Sequence, residues 1–323
     1  MRFSLFVRAA GVAGAVLILG CGPGTTGVRS SAATPPLTAP PTELPADTLV
    51  YQAPPRLPRV TEPGEVVEPV PGGAVDWSGT VVRARGTGVV DPSARDQAQA
   101  WVMAERAAVV VAQRNLLEII KGVRVDSDTR VENFMTSYDI VYTRVEGTVT
   151  GARQPGPATF DSVAGLVEVE LEVDIYGRDG LSEALAPAIP GGDVSVSTLS
   201  PEVRRFLEEY SGLVVDGGAS GLKPSMYPKI YDEDGNLLLD TRDYAGYLGQ
   251  GGQAALEFIA DLDRVLARPE FAQAPFVLKV RQVTGRLGTD IVIGRGDADK
   301  LKWLKEGFKY LVGAGRFLLK VLL

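Results

Sequence analysis

The chain contains no histidine and a single cysteine, Cys21, in 323 residues. The absence of histidine excludes Ser-His-Asp and Cys-His nucleophilic sets and any zinc site that needs imidazole. One thiol cannot form an intrachain disulfide, so no disulfide framework holds the fold. Basic residues are in deficit as well: 33 Lys and Arg stand against 40 Asp and Glu. A chain with a net charge of −7 lacks the basic footprint that nucleic acid requires.

The lone cysteine follows a short apolar run. Arg2 and Arg8 form a positive start, and Ala9 to Leu19 are almost wholly apolar. That run is shorter than the ~20 residues that span a bilayer, and reads as a secretory signal over residues 1–20. It ends Ile18-Leu19-Gly20-Cys21, which resembles a bacterial lipobox. The resemblance implies a diacylglycerol thioether on Cys21, cleavage before it and acylation of the new amino terminus, for example by palmitate. Two or three acyl chains at ~0.8 kcal/mol per buried CH₂ anchor a protein durably. Loss of residues 1–20 removes two arginines and no acid, taking the charge from −7 to about −9.

Residues 21–75 are dense in Pro, Gly, Ser and Thr and show no helical or strand period. They read as an extended tether, reaching on the order of 150 Å when fully drawn out. A first α+β domain is expected over 76–178. Val81 and Val82 lead a strand, and Asp91-Pro92-Ser93 signals a helix start. An Ala-rich helix then runs from Ala94 to Lys121, with Gly122 as its stop. Three stretches of period two follow, at 123–134, 138–154 and 162–177, so the unit reads β-α-β-β-β with one long helix on an antiparallel sheet. Residues 179–200 form a linker. A second α+β domain covers 201–323, with helices over PEVRRFLEEY, GQAALEFIADLDRVLAR and DADKLKWLKEGFKYL. Its strands are SGLVVDGG, FVLKVRQVTG, TDIVIG and GRFLLKVLL, together with a hairpin turning at Asp234-Gly235.

Several motifs invite chemistry. Gly86-Thr-Gly88 sits between strand and helix as a dinucleotide fingerprint would, but the third glycine is missing. The plainer reading is a strand end that needs small residues under the helix. Ser220 and Lys223 match S-x-x-K, but Gly221 and Pro224 argue against the helical turn that would bring amine to hydroxyl. Asp232-Glu233-Asp234-Gly235-Asn236 is rich in oxygen ligands, but its glycine is misplaced for a calcium loop. Glu168, Glu170, Glu172 and Asp174 alternate with apolar residues, placing four carboxylates on one strand face. That face is either solvated or a candidate interaction surface for a basic partner or a neighbouring copy. Lys300, Lys302, Lys305 and Lys309 stand beside Trp303, Leu304, Phe308 and Leu311. They suggest a helix packed on its own sheet, or one touching anionic headgroups. No catalytic residue, metal or cofactor is expected.

The pieces from Gly86-Thr-Gly88, through Asn115-Leu116-Leu117-Glu118 and Val125 to Thr129, to Gly147 through Gly151 resemble the Lpp-twenty lipoprotein family. That family includes flagellar outer-membrane lipoprotein P and, more remotely, the amino-terminal domain of flagellar assembly protein T. The second block, YSGLVVDGGASGLKPSMYPKIYDEDGNLLLD with TDIVIGRGDADKL, looks like a domain that often follows the first in bacterial lipoproteins. Gly217 and Gly218 depart from its usual alanine and arginine. The resemblance implies a non-enzymatic lipoprotein on the periplasmic face of the outer membrane. It implies contacts with envelope proteins or self-assembly into a ring or disc, as in flagellar relatives, and transfers no catalytic residue. Gly22 after the cysteine favours the outer membrane. The alternative is a periplasmic ligand-binding or sensor module.

Overall fold

The structure is a computed structural model. It describes residues 64–189, 191–192, 199–210, 213–248, 256–261, 263, 275–302 and 319–323. Cys21 and the proposed signal and most of the tether lie outside these residues. Pro58–Leu323 form one compact unit.

The fold is α+β, built on two sheets. The first is antiparallel, in the order β1-β2-β3-β5-β4: β1 Val67–Val70, β2 Gly73–Asp76, β3 Val81–Val89, β4 Thr159–Asp161 and β5 Leu166–Asp174. The long helix α1, Gln97–Gly122, lies across β3 and β5. Asp96 caps it, accepting hydrogen bonds from the backbone N–H of Ala98 and Gln99 at 3.0 and 3.1 Å. The helix therefore starts a few residues later than the Asp91-Pro92-Ser93 signal. Gly122 belongs to its last turn, and Val123 is the cap.

Alanines recur every fourth residue along the buried face of α1, at 100, 104, 108 and 112. Their small size brings the helix backbone down onto β3. A Cβ on Gly86 would sit 2.1 Å from the Ala108 carbonyl oxygen, and one on Gly88 would sit 1.9 Å from that of Ala104. Gly86-Thr-Gly88 is thus a packing seat. Below it, Leu116, Ile119 and Ile120 fill the core against Val75 and Val82.

Two segments expected as strands are helices: α2, Val131–Ser137, and α3, Asp139–Thr150. Their β-branched composition suggested a strand. Yet Val141, Val145 and Val149 recur at helical spacing, and all three are buried. The Thr136, Thr143 and Thr150 hydroxyls donate to carbonyls four residues back, which satisfies them within the helix. The strand that begins the fold also comes earlier than expected. Residues 67–75, read as tether, form the β1–β2 hairpin together with Asp76, with Val75 buried.

After the short helix α4, Leu181–Leu185, and α5, Pro201–Glu209, comes a mixed seven-stranded sheet. Its order is β8-β7-β11-β10-β6-β12-β9: β6 Leu213–Asp216, β7 Lys229–Asp232, β8 Leu237–Asp240, β9 Leu256–Ile259, β10 Phe276–Thr284, β11 Asp290–Ile293 and β12 Leu319–Leu322. The β7–β8 hairpin turns around Asp234-Gly235, as expected. β9 lies within a segment expected as a helix; its four residues are all buried, which a parallel strand beside β12 requires. Residues 295–302 are helical (α6) and seat Ala298 and Leu301 in the core.

The two sheets share one continuous hydrophobic core. Backbone hydrogen bonds also join the two halves. Met226 and Tyr227 donate to the carbonyls of Arg124 and Val125 at 2.9 and 2.8 Å, and Ala260 donates to Gly64 at 3.1 Å. The Trp77 and Phe258 rings meet edge-on at 5.7 Å.

A shared core predicts that residues 58–323 unfold in one cooperative thermal transition, with near- and far-UV circular dichroism coinciding. Two resolved transitions would contradict it. Gly88→Val should cost about 3 kcal/mol or more, because the clash is with backbone and not with a movable side chain. Chemical denaturation of the same residues measures this.

Candidate functional site

The acidic row lies where alternation along β5 puts it, opposite the α1 face. It is not bare. The β3–β5 register sets Arg83 across from Glu172 and Arg85 across from Glu170. Arg83 Nε reaches Glu172 at 3.2 Å, and Arg85 Nε reaches Glu170 at 3.0 Å and Glu168 at 3.5 Å. Arg153 closes the row from the other side, 2.6 Å from Glu172 and 3.5 Å from Asp174. Arg83 also holds Asp76 at 2.8 Å. Burial pushes the Arg83 guanidinium down, but Glu172 and Asp76 outweigh it and leave it raised. Each of the four carboxylates is therefore paired with an arginine of the chain, with Glu172 buried and Asp174 exposed.

A cleft of about 300 Å³ opens at the C-terminal end of α1. Val70, Val75, Trp77 and Ile119 give it apolar walls, and Glu68, Glu118 and Arg124 its polar groups. Arg124 organises it. Its Nη1 and Nη2 grip the Glu68 carboxylate at 3.1 and 2.5 Å, and its Nε donates to the Pro224 carbonyl at 2.6 Å. Its guanidinium lies 5.6 Å from the Trp77 ring centre, and Trp77 Nε1 donates to Glu68 at 3.2 Å. Burial raises the Glu68 carboxyl, but Arg124, with help from Trp77 and Lys223, takes it below the usual carboxylate range.

Beside the cleft, the loop Asp126-Ser127-Asp128-Thr129 faces the second sheet. Asp126 Oδ1 accepts from the N–H groups of Asp128 and Thr129 and from the Thr129 hydroxyl, all within 2.9 Å. Arg242 bridges Asp126 at 3.4 Å and Asp240 at 2.7 Å. Leu287 donates to the Ser127 carbonyl at 2.8 Å. Gly285, at φ +84°, passes so near that a Cβ there would lie 2.3 Å from the Ser127 Cβ. Asp290 is buried next to this loop; desolvation raises its carboxyl above the ordinary value, against bonds from Ser127 and Lys229. The hydroxyls of Ser225, Tyr227 and Thr289 are buried without protein partners. In the sequence, Val125 to Thr129 carry a family resemblance and no other signal. Their partners lie more than 100 residues away, which no local pattern reveals.

The other candidates separate. Ser220 Oγ accepts from the Leu222 N–H in a loop, and the Lys223 N–H donates to Gly288, so S-x-x-K forms no helical turn. Asp232 ties its own hairpin turn, accepting from Asp234 and Asn236 at 2.8 to 3.0 Å. Lys300 lies over the Phe276 ring and Lys302 near Asp232 and Asp299. Lys305 and Lys309 fall outside the described residues, as do Trp303, Leu304, Phe308 and Leu311. Among the described residues, no group of three or more acidic or cysteine side chains is placed to hold a metal ion. No helix among them is long and apolar enough to cross a membrane.

Residues 212–314, about a third of the chain, match the family model for the second domain of Treponema pallidum Tp0624. The match begins at β6 and runs past α6. No curated protein matches the chain.

Arg124→Ala should destabilise residues 58–323 by about 2 kcal/mol at neutral pH, since it strands Glu68 and the Pro224 carbonyl. Glu68→Gln should cost about 1 kcal/mol, allowing for its exposure. The Glu68 carboxyl is lowered in the fold, so its contribution is present above the ordinary carboxylate range. It fades as pH falls through the lowered value. The Glu68→Gln deficit in melting temperature should therefore shrink toward zero in acid; a deficit constant with pH would contradict it.

Proposed function

We propose that this chain is a lipid-anchored, non-enzymatic lipoprotein of the outer membrane, contributing to envelope or flagellar-type assemblies through protein contacts. The observation that carries the reading is an exposed apolar cluster at one end of the five-stranded sheet. Val163, at the β4–β5 turn, is 97% exposed, and Val89, at the end of β3, is 71% exposed. A hydrogen bond from Val90 to Gly165 brings these two ends together. The Phe160 ring stands out from β4 and meets Trp101 edge-on at 5.1 Å. Exposed apolar residues grouped in this way mark contact surfaces more often than single ones do. Pro155 and Pro157 precede β4 and offer no N–H donors, which discourages strand addition there and favours packing face to face.

The anchor part of the reading rests on Ile18-Leu19-Gly20-Cys21, and the outer-membrane part on Gly22. The flagellar part rests on the Lpp-twenty resemblance. Its glycine-x-glycine element and alanine helix are the two partners of the tight contact described above. A second reading, a periplasmic ligand-binding or sensor module, is favoured by the cleft at Arg124, whose volume is at the lower end for small-molecule sites.

Light scattering on residues 58–323 across protein concentration should show a defined oligomer. Val89→Ser with Val163→Ser should return it to monomer without lowering the melting temperature. A monomer at every concentration would count against self-assembly. Labelled palmitate should enter the full chain and fail to enter Cys21→Ser; equal labelling of both would remove the anchor.

A further inference from the structure

The outer face of α1 is built opposite to what its own sheet requires. The helix buries Ala100, Ala104, Ala108 and Ala112 and exposes larger apolar side chains: Val102 at 44%, Met103 at 57% and Val110 at 56%. Valine is a weaker helix former than alanine, lysine or glutamate, so nothing local favours it at a solvent position. Arg106 and Arg114 are interleaved with these residues, both exposed and neither in an ion pair among the described residues. Arg95 is exposed just before the helix begins. At 100° per residue, Val102, Arg106, Val110, Met103 and Arg114 share one face, extending about 18 Å along the axis. The helix has two acids. Glu105 and Glu118 lie to either side of that face, and Glu118 is taken by Lys121 at 2.8 Å.

In a chain of net charge −7, this is a basic and apolar island. We propose that the outer face of α1 docks on an anionic lipid surface. Its arginines would meet headgroup phosphates, and Val102, Met103 and Val110 would insert shallowly between them. The face has the composition of interfacial helices, in which cations and apolar groups act together. A second copy of the chain offers it little: the strongest acidic row, on β5, is already held by Arg83, Arg85 and Arg153. The proposal builds on the lipid-anchored reading, because an anchored chain is kept close to such a surface.

The test uses residues 58–323, which carry no acyl chain, so its outcome is independent of acylation at Cys21. Binding to sonicated vesicles is measured by co-sedimentation. Retention on phosphatidylglycerol vesicles should exceed retention on phosphatidylcholine and should fall with added salt. Arg106→Gln with Arg114→Gln should weaken it about tenfold or more, in line with the attraction each cation gains near an anionic surface. Met103→Ser with Val110→Ser should weaken it also, with unchanged melting temperature in both variants. Equal retention on both vesicle types, or undiminished binding by the arginine variant, would overturn the proposal. So would equally tight binding to polyglutamate, which presents carboxylates without lipid and would assign the face to an acidic protein.

Discussion

Everything in the first half of the molecule depends on how closely α1 lies on β3. Backbone carbonyls of Ala104 and Ala108 occupy the space where side chains of residues 88 and 86 would otherwise stand. That distance sets the depth of the core and so the side chains that can fill it. Leu116 and Ile120 reach fully buried positions because the alanines before them have let the helix descend. Helix and strand form one layer pair with little room for repacking.

The same strand carries the electrostatics on its other face. β3 turns Arg83 and Arg85 toward β5, whose period-two acids meet them in register. Apolar packing on one side and charge pairing on the other thus demand the same alignment. A one-residue slip would bury the arginines beneath the helix and strand the carboxylates in unpaired positions. The acidic row, which by itself looks like a surface for a basic partner, is in this sense a lock on register.

Much of this could be seen in the sequence. Val81–Val89, the alanine helix, Leu166–Asp174 and the Asp-Gly hairpin each carry a clean local period or turn signal, and each forms as expected. So do the strands Leu213–Asp216, Phe276–Thr284 and Asp290–Ile293. The failures share a cause. Residues 131–150 are β-branched but packed at helical spacing, so tertiary contacts override intrinsic preference. Val67–Asp76 hides a hairpin among prolines, because its buried valine finds a core only when α1 is in place. Leu256–Ile259 depends on β12, some 60 residues later. Arg124, which gathers Glu68, Trp77 and Pro224 from three parts of the chain, has no local signature at all. The arginine partners of the acidic row were in view as R-A-R facing E-L-E, but only pairing shows which strands are neighbours.

One edge of the larger sheet has a mechanical consequence. Gly64 and Glu65 bond along β9, and so does Leu323, through the Ile259 carbonyl. The first described residues are thus sewn to the same strand as the last. A pull applied through residue 64 would reach the single bridge between Glu65 and Ile259 first, then the β1–β2 hairpin, whose bonds open one at a time from its end. The long helix and its glycine seat lie behind that hairpin in the loading path. Tension would thus meet the Glu68–Arg124 clamp and the buried Val75 before it reached the helix, so the hairpin would take up load ahead of the helix-on-strand contact behind it.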